Sequence, residues 1–212
     1  MTRERYWPTL KKEAWQDQKQ VKAVAEQLKD CHPQEIIRWG IEQVGVSRLV
    51  LACSFGYEDV ALVDMALTVN PELDIFYLDT DLHFQETYET IKKVKEKYPS
   101  LLIELKQPSL SLEEQATQFG EKLWETNPNE CCRIRKIEPL FEELSDATAW
   151  ISGLRREQSP TRADTEYFNK DEKFKSVKVC PLIYWTWKDV WRYVTKYNLP
   201  YNVLHDQGYP SI

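Results

Sequence analysis

Short apolar runs alternate with longer segments of helical periodicity from residue 49 onward, and this alternation constrains the fold more than any other feature. The apolar runs are strand candidates because they are short, apolar and bounded by polar or turn-forming residues. Their uninterrupted apolar character is typical of strands that are buried on both faces of a parallel sheet. The sequence therefore predicts an α/β fold with a doubly wound, mostly parallel sheet. The strand candidates are residues 49–53, 75–78, 101–105, 149–152 and 177–183.

The segments between these runs have the period of amphipathic helices. Helices are expected at about residues 57–69, 84–98 and 187–196; a proline closely follows each of the first two, and a capping box precedes the third. Residues 1–45 are rich in Lys, Gln and Glu and are expected to form a helical lead-in. We therefore expect a single domain in which this lead-in precedes an α/β region over residues 46–212.

Composition and charge limit the partners of the chain. Its 212 residues are 42% hydrophobic, enough for a full core, and its net charge of −6 argues against a general nucleic-acid or membrane surface. A small-molecule partner is expected instead. No segment has the apolar core of a signal peptide or the ~18 apolar residues of a membrane span, so we expect a cytoplasmic protein. The oligomeric state is left open, with a homo-oligomer among the options.

Ligands of open α/β sheets bind at the carboxyl ends of the strands, which directs attention to the segments that follow the strands. The first such segment runs from Ser54 to Asp59; in it Gly56 permits a tight turn, and N–H groups at the start of the next helix could bind phosphate or sulfate. The second contains Asp79 and Thr80, whose polar groups could hold a ribose or the edge of an adenine. Helix capping explains the first segment equally well when it is taken alone, and it is the less favoured alternative for the second.

Three arginines follow the fourth predicted strand. Arg155, Arg156 and Arg162 lie among hydroxyl and amide side chains. Guanidinium groups bind phosphate or sulfate oxygens in a bidentate manner, and an acidic protein gains little solubility from clustering three of them. The pattern predicts an anion clamp, with a solvated surface loop as the alternative.

Two adjacent cysteines, Cys131 and Cys132, begin a cation-rich helical segment. Their Cα atoms lie ~3.8 Å apart, below the usual disulfide range of roughly 4.4–6.8 Å, so a bond between them would be strained. The periodicity of the residues that follow predicts a helix with both thiols at its N-terminus. There the helix dipole and the cations Arg133, Arg135 and Lys136 favour thiolate. A metal site is therefore predicted, with a pair of small buried residues as the alternative.

Four motifs of this chain resemble those of one enzyme family in both content and order. They are Ser-Phe-Gly-Tyr-Glu-Asp from Ser54, Leu-Asp-Thr-(x)3-Phe-Gln-Glu-Thr from Leu78, Cys-Cys-Arg-Ile-Arg-Lys from Cys131 and Gly-Leu-Arg-Arg-Glu-Gln-Ser from Gly153. On these motifs the chain resembles the assimilatory adenylyl-sulfate and phosphoadenylyl-sulfate reductases. The resemblance covers nearly everything from about residue 48 onward.

The resemblance implies a Rossmann-like fold similar to that of the adenine-nucleotide α-hydrolases, with a sulfonucleotide lying across the strand ends. It implies reduction of adenylyl sulfate, with the 3′-phosphorylated substrate also considered, to sulfite and AMP through a cysteine S-sulfonate. Thioredoxin or glutaredoxin would be the reductant. The reaction would serve sulfate assimilation and cysteine biosynthesis.

The resemblance also implies roles for particular residues. The tandem cysteine marks the iron-sulfur branch of the family, so Cys131 and Cys132 would be two ligands of a 4Fe-4S cluster. Lys136 would lie between that cluster and the substrate and act in catalysis. The implied sulfonucleotide-binding residues are Ser54, Phe55, Gly56, Asp79, Thr80, Gly153, Arg155, Arg156 and Arg162.

The chain departs from the family pattern near its end. The family's other two cluster ligands form a Cys-x-x-Cys pair, and its nucleophile lies in a C-terminal Glu-Cys-Gly-Leu-His tail; neither motif occurs in these 212 residues. We therefore expect that the native chain continues past Ile212 into a catalytic tail. Cys31, Cys53 and Cys180 are not assigned as nucleophile.

Two other functions are considered. An ATP pyrophosphatase of the same fold would need a Ser-Gly-Gly-x-Asp-Ser loop, in place of which this chain has Phe55 and Glu58-Asp59. A non-catalytic nucleotide- or metal-binding protein could hold zinc. Its ligands would be Cys131, Cys132, Cys180 and His205.

Overall fold

The computed structural model describes residues 17–209 and 212, which form one six-stranded sheet with helices on both faces. The strand order is β3-β2-β1-β4-β6-β5, and all neighbouring strands are parallel except the antiparallel pair β5 and β6. The predicted α/β class and the doubly wound, mostly parallel sheet are confirmed. The strands are β1 Leu49–Ala52, β2 Asp74–Leu78, β3 Ile103–Lys106, β4 Ala149–Ile151, β5 Phe168–Asp171 and β6 Ser176–Val179.

Sequence reasoning missed one strand and overextended another. The missed strand is β5, which has only Phe168 as a buried apolar residue and pairs at the sheet edge. The overextended strand is β6, which ends at Val179, while residues 180–183 are buried in turns. An apolar run reports burial rather than extension, so it could not mark where β6 ends.

The helices that follow the first two strands begin and end close to the predicted positions, because their helical periodicity and the prolines that follow them mark their extent. The last long helix begins at its predicted capping box, in which Thr186 accepts from the Asp189 N–H. The helices are α1 Gln18–Gln27, α2 Pro33–Val44, α3 Tyr57–Val69, α4 Gln85–Lys97, α5 Leu112–Phe119, α6 Leu123–Thr126, α7 Pro128–Cys132, α8 Glu138–Glu143 and α9 Trp187–Lys196.

The two faces of the sheet are buried against different helices, since successive strand residues point to opposite faces. Leu49, Leu51 and their counterparts on other strands join a large core with α1, α2, α3 and α9. Val50, Phe76 and Trp150 point the other way, into a smaller core completed by α8. Helices cover that second face of the sheet less fully than the first. A cleft therefore opens beside α8.

The two N-terminal helices pack into the large core. Trp39 of α2 is fully buried, and its ring centroid lies 4.4 Å from that of Phe168 in β5. The Tyr167 hydroxyl donates to the Lys29 carbonyl at 3.0 Å. Helices α1 and α2 thus pack against the sheet edge formed by β5, while residues 1–16 of the predicted lead-in lie outside the described residues.

Over residues 17–209, none of the helices combines the length and the apolar character needed to cross a membrane.

Candidate functional site

A cleft of about 1120 Å³ lies at the carboxyl ends of β1, β2 and β4. The chain proceeds from β1 through β2 to β3 on one side of the sheet and then returns to β4 on the other side of β1. The cleft therefore lies at the point where the strand order reverses, which is the usual ligand site of such sheets.

Most of the predicted site residues line this cleft. Phe55, Asp79 and Arg156 do not, and neither do the adjacent cysteines. The predicted residues that do line it are Ser54, Gly56, Thr80, Lys136, Gly153, Arg155 and Arg162.

The loop after β1 turns at an unexpected residue. Sequence reasoning gave the tight turn to Gly56, yet Gly56 has an ordinary φ of −62°, while Phe55 takes the left-handed conformation with φ of 59°. The Phe55 side chain points into the core, where its ring centroid lies 5.2 Å from that of Tyr77. Core packing of this ring offsets the cost of a left-handed non-glycine residue.

The N-terminus of α3 faces the cleft without a side-chain cap. Its N-cap residue is Gly56, and no side chain accepts a hydrogen bond from the first N–H groups at that position. Unpaired N–H groups and the helix dipole together make such a terminus suitable for an anion. This geometry supports the anion-binding interpretation of the segment from Ser54 to Asp59.

A buried carboxylate lies beneath the loop. Asp59 in the first turn of α3 accepts from the Ser54 N–H at 2.7 Å and from the Ser54 hydroxyl at 2.5 Å, and the Gly153 N–H also donates to it. Burial raises the pKa of this carboxyl to about 6 against the opposing hydrogen bonds. Asp59 thus joins the loop after β1 to the loop after β4.

The first of the three arginines is neutralised inside the protein. Arg155 is only 3% exposed and forms ion pairs with Glu58 at 2.9 Å and Glu157 at 2.7 Å. It also donates to the Tyr57 hydroxyl at 3.0 Å. With two carboxylates beside it, this guanidinium holds the wall of the cleft together rather than offering an unbalanced charge.

The other two arginines point in different directions. Arg156 donates to the Thr165 carbonyl at 2.8 Å and to Glu166 at 2.9 Å, and it lies over the Tyr184 ring, away from the cleft. Arg162 lines the cleft and donates to the neutral amide oxygen of Gln158. The three arginines therefore do not come together as the predicted clamp, because Arg155 and Arg156 form ion pairs with neighbouring carboxylates.

Lys136, like Arg162, is a cleft cation that no carboxylate of the described residues balances. It is exposed and lines the cleft, and within residues 17–209 no carboxylate forms an ion pair with it. Another cleft cation, Lys178, is paired with Asp171 at 3.2 Å. Lys136 and Arg162 are thus the cations that the described part of the cleft presents to an anionic ligand.

The loop after β2 is fixed by a residue to which sequence reasoning gave no such role. Arg135 is 2% exposed and donates to the Thr80 carbonyl and to the Asp81 carboxylate. Asp79, outside the cleft lining, accepts from the Asp81 N–H at 3.0 Å and from the Tyr88 hydroxyl at 2.8 Å. Arg135 and Asp79 therefore set the position of Thr80 in the cleft.

The cysteine pair lies within a helix that is continuous from Pro128 to Glu143. Residues Arg133–Ile137 are π-helical between α7 and α8, a feature frequent at functional sites. The Cys131 N–H already donates to the Asn127 carbonyl at 3.1 Å, so the helix begins three residues before the predicted N-terminal position. Cys131 therefore lies past the first turn of the helix, and the helix dipole acts mainly within that turn.

The two thiols have different surroundings, and the described residues do not complete a metal site around them. Cys131 is buried, with Sγ 4.0 Å from the Gln115 side-chain nitrogen, while Cys132 is exposed. Nowhere in the described part of the chain do three or more His, Cys, Asp or Glu side chains meet in a group that could hold a metal ion. The zinc set with Cys180 and His205 is therefore not assembled in the described residues, and no further ligands of a four-thiolate cluster join Cys131 and Cys132 there.

The remaining cysteines are poorly suited to act as nucleophiles. Burial raises the pKa of the Cys180 thiol to about 12 and that of the Cys53 thiol well above its usual range. A thiol with a raised pKa is rarely ionised, and the thiolate is the reactive form. Cys31 is half-buried beyond the end of α1, outside the residues that line the cleft.

Gly153 gives a direct test of the contact beneath the loop. In Gly153→Ala, the added Cβ would lie 2.2 Å from Asp59 Oδ1 and 3.0 Å from Glu58 Cβ. We expect the free energy of unfolding to fall by roughly 1–3 kcal/mol, as for other overpacked sites, when it is measured by urea denaturation.

Gly56→Ala is the matched control for this variant. Its Cβ would meet Ser54 Oγ at 3.6 Å, an ordinary contact, and its φ suits any residue. We expect a change of less than about 1 kcal/mol. Equal stability of the two variants would contradict the close packing of Gly153 on Asp59.

Comparison with known proteins finds a matching family model and similar sequences. The family model for the phosphoadenosine phosphosulfate reductase domain matches residues 48–212. A protein of Lysinibacillus sphaericus named adenosine 5′-phosphosulfate reductase is 63% identical over 178 residues, which cover 84% of this chain and 76% of that relative. A protein of the same name from Geobacillus thermodenitrificans is 56% identical over 206 residues, 97% of this chain and 83% of the relative.

Solved structures show the same fold. The phosphoadenylyl-sulfate reductase of Candida auris, solved as a phosphate complex, has a TM-score of 0.81 at 29% identity and covers 92% of this chain and 94% of its own. An FMN adenylyltransferase of Candida glabrata has a TM-score of 0.62 at 15% identity, with 91% of this chain and 63% of that chain covered, and so shares the fold alone. The matched domain and the high identity to named reductases show that this chain belongs to the phosphoadenosine phosphosulfate reductase family.

Proposed function

We propose that this chain reduces adenylyl sulfate to sulfite and AMP. The observation that carries the proposal is the pair of unbalanced cations, Lys136 and Arg162, in the same cleft as the uncapped N-terminus of α3. A phosphosulfate group carries two negative charges, and this arrangement offers it two cations and unpaired N–H groups. The names of relatives at 56–63% identity support the same substrate.

The nucleoside would lie beyond the anion site, along the less covered face of the sheet. Phe76, Leu78 and Trp150 line the cleft there, and Leu140 of α8 also lines it. These side chains offer an apolar surface for a planar base, while Thr80 at the end of β2 lies among them as a polar group. Of the residues expected to bind the sulfonucleotide, Phe55 and Asp79 would then act through the loop residues beside them, while Arg156 faces away from the cleft.

The proposed reaction has two steps. A cysteine thiolate attacks the sulfur atom, the bond from sulfur to the bridging phosphate oxygen breaks, and AMP leaves with that electron pair. One thiolate of a dithiol protein, thioredoxin or glutaredoxin, then attacks the cysteine Sγ, and sulfite leaves with the electron pair of the broken S–S bond. The second thiol of the dithiol protein cleaves the resulting mixed disulfide, which oxidises that protein to its disulfide and returns the enzyme cysteine to the thiol. Lys136 and Arg162 would stabilise the charge that develops on the leaving phosphate. The attacking thiolate is not assigned within the described residues.

Cys131 and Cys132 are proposed as two of the four ligands of a 4Fe-4S cluster, as the tandem cysteine of the iron-sulfur branch suggests. The other two ligands would come from outside the described residues. Such a cluster would supply local charge and rigidity near Lys136, which lies one helical turn after Cys132. We also propose a cytoplasmic location and thioredoxin as the partner.

The cation at position 136 can be tested in binding and in turnover. Lys136→Ala should weaken adenylyl sulfate binding by roughly tenfold or more, because an interaction between charged groups contributes about 1.5–3 kcal/mol. Sulfite release should fall further in this variant of the native protein. Its free energy of unfolding, measured by urea denaturation, should stay near that of the wild type because the side chain is exposed. Lys136→Arg should restore part of the binding.

Lys93→Ala is the control for this variant, since Lys93 is an exposed residue of α4 outside the cleft lining. We expect it to bind and turn over as the wild type does. If Lys136→Ala matched this control in both measurements, Lys136 would have no part in the proposed site.

The cluster ligands can be tested by metal analysis of the native protein purified without oxygen. Cys132→Ser should lose most of the bound iron and acid-labile sulfide, because serine is a poor ligand for iron-sulfur clusters. Cys31→Ser, at the half-buried cysteine beyond α1, should retain both. Equal iron in the two variants would remove Cys132 from the proposed ligand set.

A further inference from the structure

The carboxylate of Asp59 is a buried negative charge directly beneath a site that is proposed to bind an anion. One oxygen, Oδ2, accepts from both the N–H and the hydroxyl of Ser54, at 2.7 and 2.5 Å. The Gly153 N–H donates to the same carboxylate. All three donors are neutral, so hydrogen bonds hold this charge and no cation pairs with it within the described residues.

The charged and titratable groups around Asp59 do not balance its charge. Glu58 lies beside it on α3 and adds a second negative charge, and the Cys53 thiol faces it from the end of β1. The cation on this side, Arg155 of the loop after β4, is already bound to Glu58 and Glu157. Burial raises the pKa of Asp59 to about 6, the Ser54 hydrogen bonds oppose that shift, and repulsion from Glu58 adds to it.

The protonation state of Asp59 decides what the Ser54 hydroxyl offers to the cleft. While Asp59 is ionised it has no proton to give, so the Ser54 hydroxyl donates to it at 2.5 Å. The hydroxyl then turns only lone pairs toward a ligand, and lone pairs repel an anion. When Asp59 is protonated, its own O–H donates to Ser54 Oγ, and the Ser54 proton becomes free to donate to a ligand oxygen.

We propose that Asp59 takes up one proton from solvent when the sulfonucleotide binds, and that this proton turns the Ser54 hydroxyl from an acceptor into a donor toward the ligand. No covalent bond to carbon, phosphorus or sulfur changes in this step; the proton goes to Asp59, and the Ser54 O–H rotates. Asp59 is thus a positioning residue that acts through Ser54. The inference rests on the proposed function, which places the anion at this loop.

Calorimetry of the native protein can count the proton. The ligand is the methylene-bridged analogue of adenylyl sulfate, which cannot transfer its sulfonate group and has no group that titrates near neutral pH. Titrations at one pH, in buffers of different ionisation enthalpy, give the number of protons bound with the ligand. We expect up to one proton per ligand between pH 6.5 and 8, with affinity falling by up to about tenfold for each pH unit in that range.

Two variants test whether the proton is taken up by Asp59 or by another carboxyl group. Asp59→Asn cannot gain a proton, so uptake should vanish and the affinity should lose this pH dependence. Asp64→Asn changes another carboxyl group of the same helix, one that accepts from the Tyr98 and Tyr193 hydroxyls. Because Asp64 is not among the cleft-lining residues, that variant should keep the uptake of the wild type.

Infrared difference spectra of the wild type keep the test independent of how well Asp59→Asn folds. Ligand binding at pH 7 should produce the carbonyl stretch of a newly protonated carboxyl group, and lowering the pH of the free protein should produce the same band. If the wild type binds the analogue without proton uptake and without a carboxyl band, the inference about Asp59 is overturned but the proposed function is not. A wild type that does not bind the analogue would overturn the proposed function and this inference together.

Discussion

Two neighbouring carboxylates in the first turn of α3 hold the walls of the cleft together. Glu58 binds Arg155, and Asp59 binds Ser54 and the Gly153 N–H, so the loop after β1 and the loop after β4 are joined at one place. These are the loops on either side of the point where the strand order reverses. The parallel sheet brings them to the same edge, and the two carboxylates fix how far apart they stand.

The charge distribution in the cleft follows from these contacts. Carboxylates pair with Arg155 and Lys178, which line the cleft, and with Arg156, which faces away from it, so these three cations are balanced. Lys136 and Arg162 lack such partners within the described residues and lie where an anion would bind. An acidic chain can thus present a locally basic site, because the balance of charge at the site depends on which cations are already paired.

Much of the fold could be predicted from the sequence, because buried parallel strands and helix boundaries leave strong local signals. The edge strand β5 left none, since three of its four residues are polar and its pairing is decided by β6. The turn at Phe55 was also beyond local reasoning. A left-handed non-glycine residue is held there by the packing of its ring, which only the folded core supplies.

The location of the candidate site could be predicted from the sequence, but the contacts of its individual side chains could not. Arg155 and Arg156 are adjacent and identical in type, yet one is buried in the wall of the cleft and the other faces Glu166 and Tyr184. The same holds for Cys131 and Cys132, of which one is buried and one exposed. Which of two adjacent side chains reaches a given partner depends on loop and helix geometry that residue type does not encode.

The formation of sulfite shows whether this cleft reduces a sulfonucleotide. Native protein purified without oxygen would be given adenylyl sulfate and reduced thioredoxin, and sulfite and AMP would be measured together. We expect equal amounts of the two products. The opposite pattern, no sulfite from adenylyl sulfate but pyrophosphate released from ATP, would contradict this expectation and assign the cleft to nucleotide pyrophosphatase chemistry.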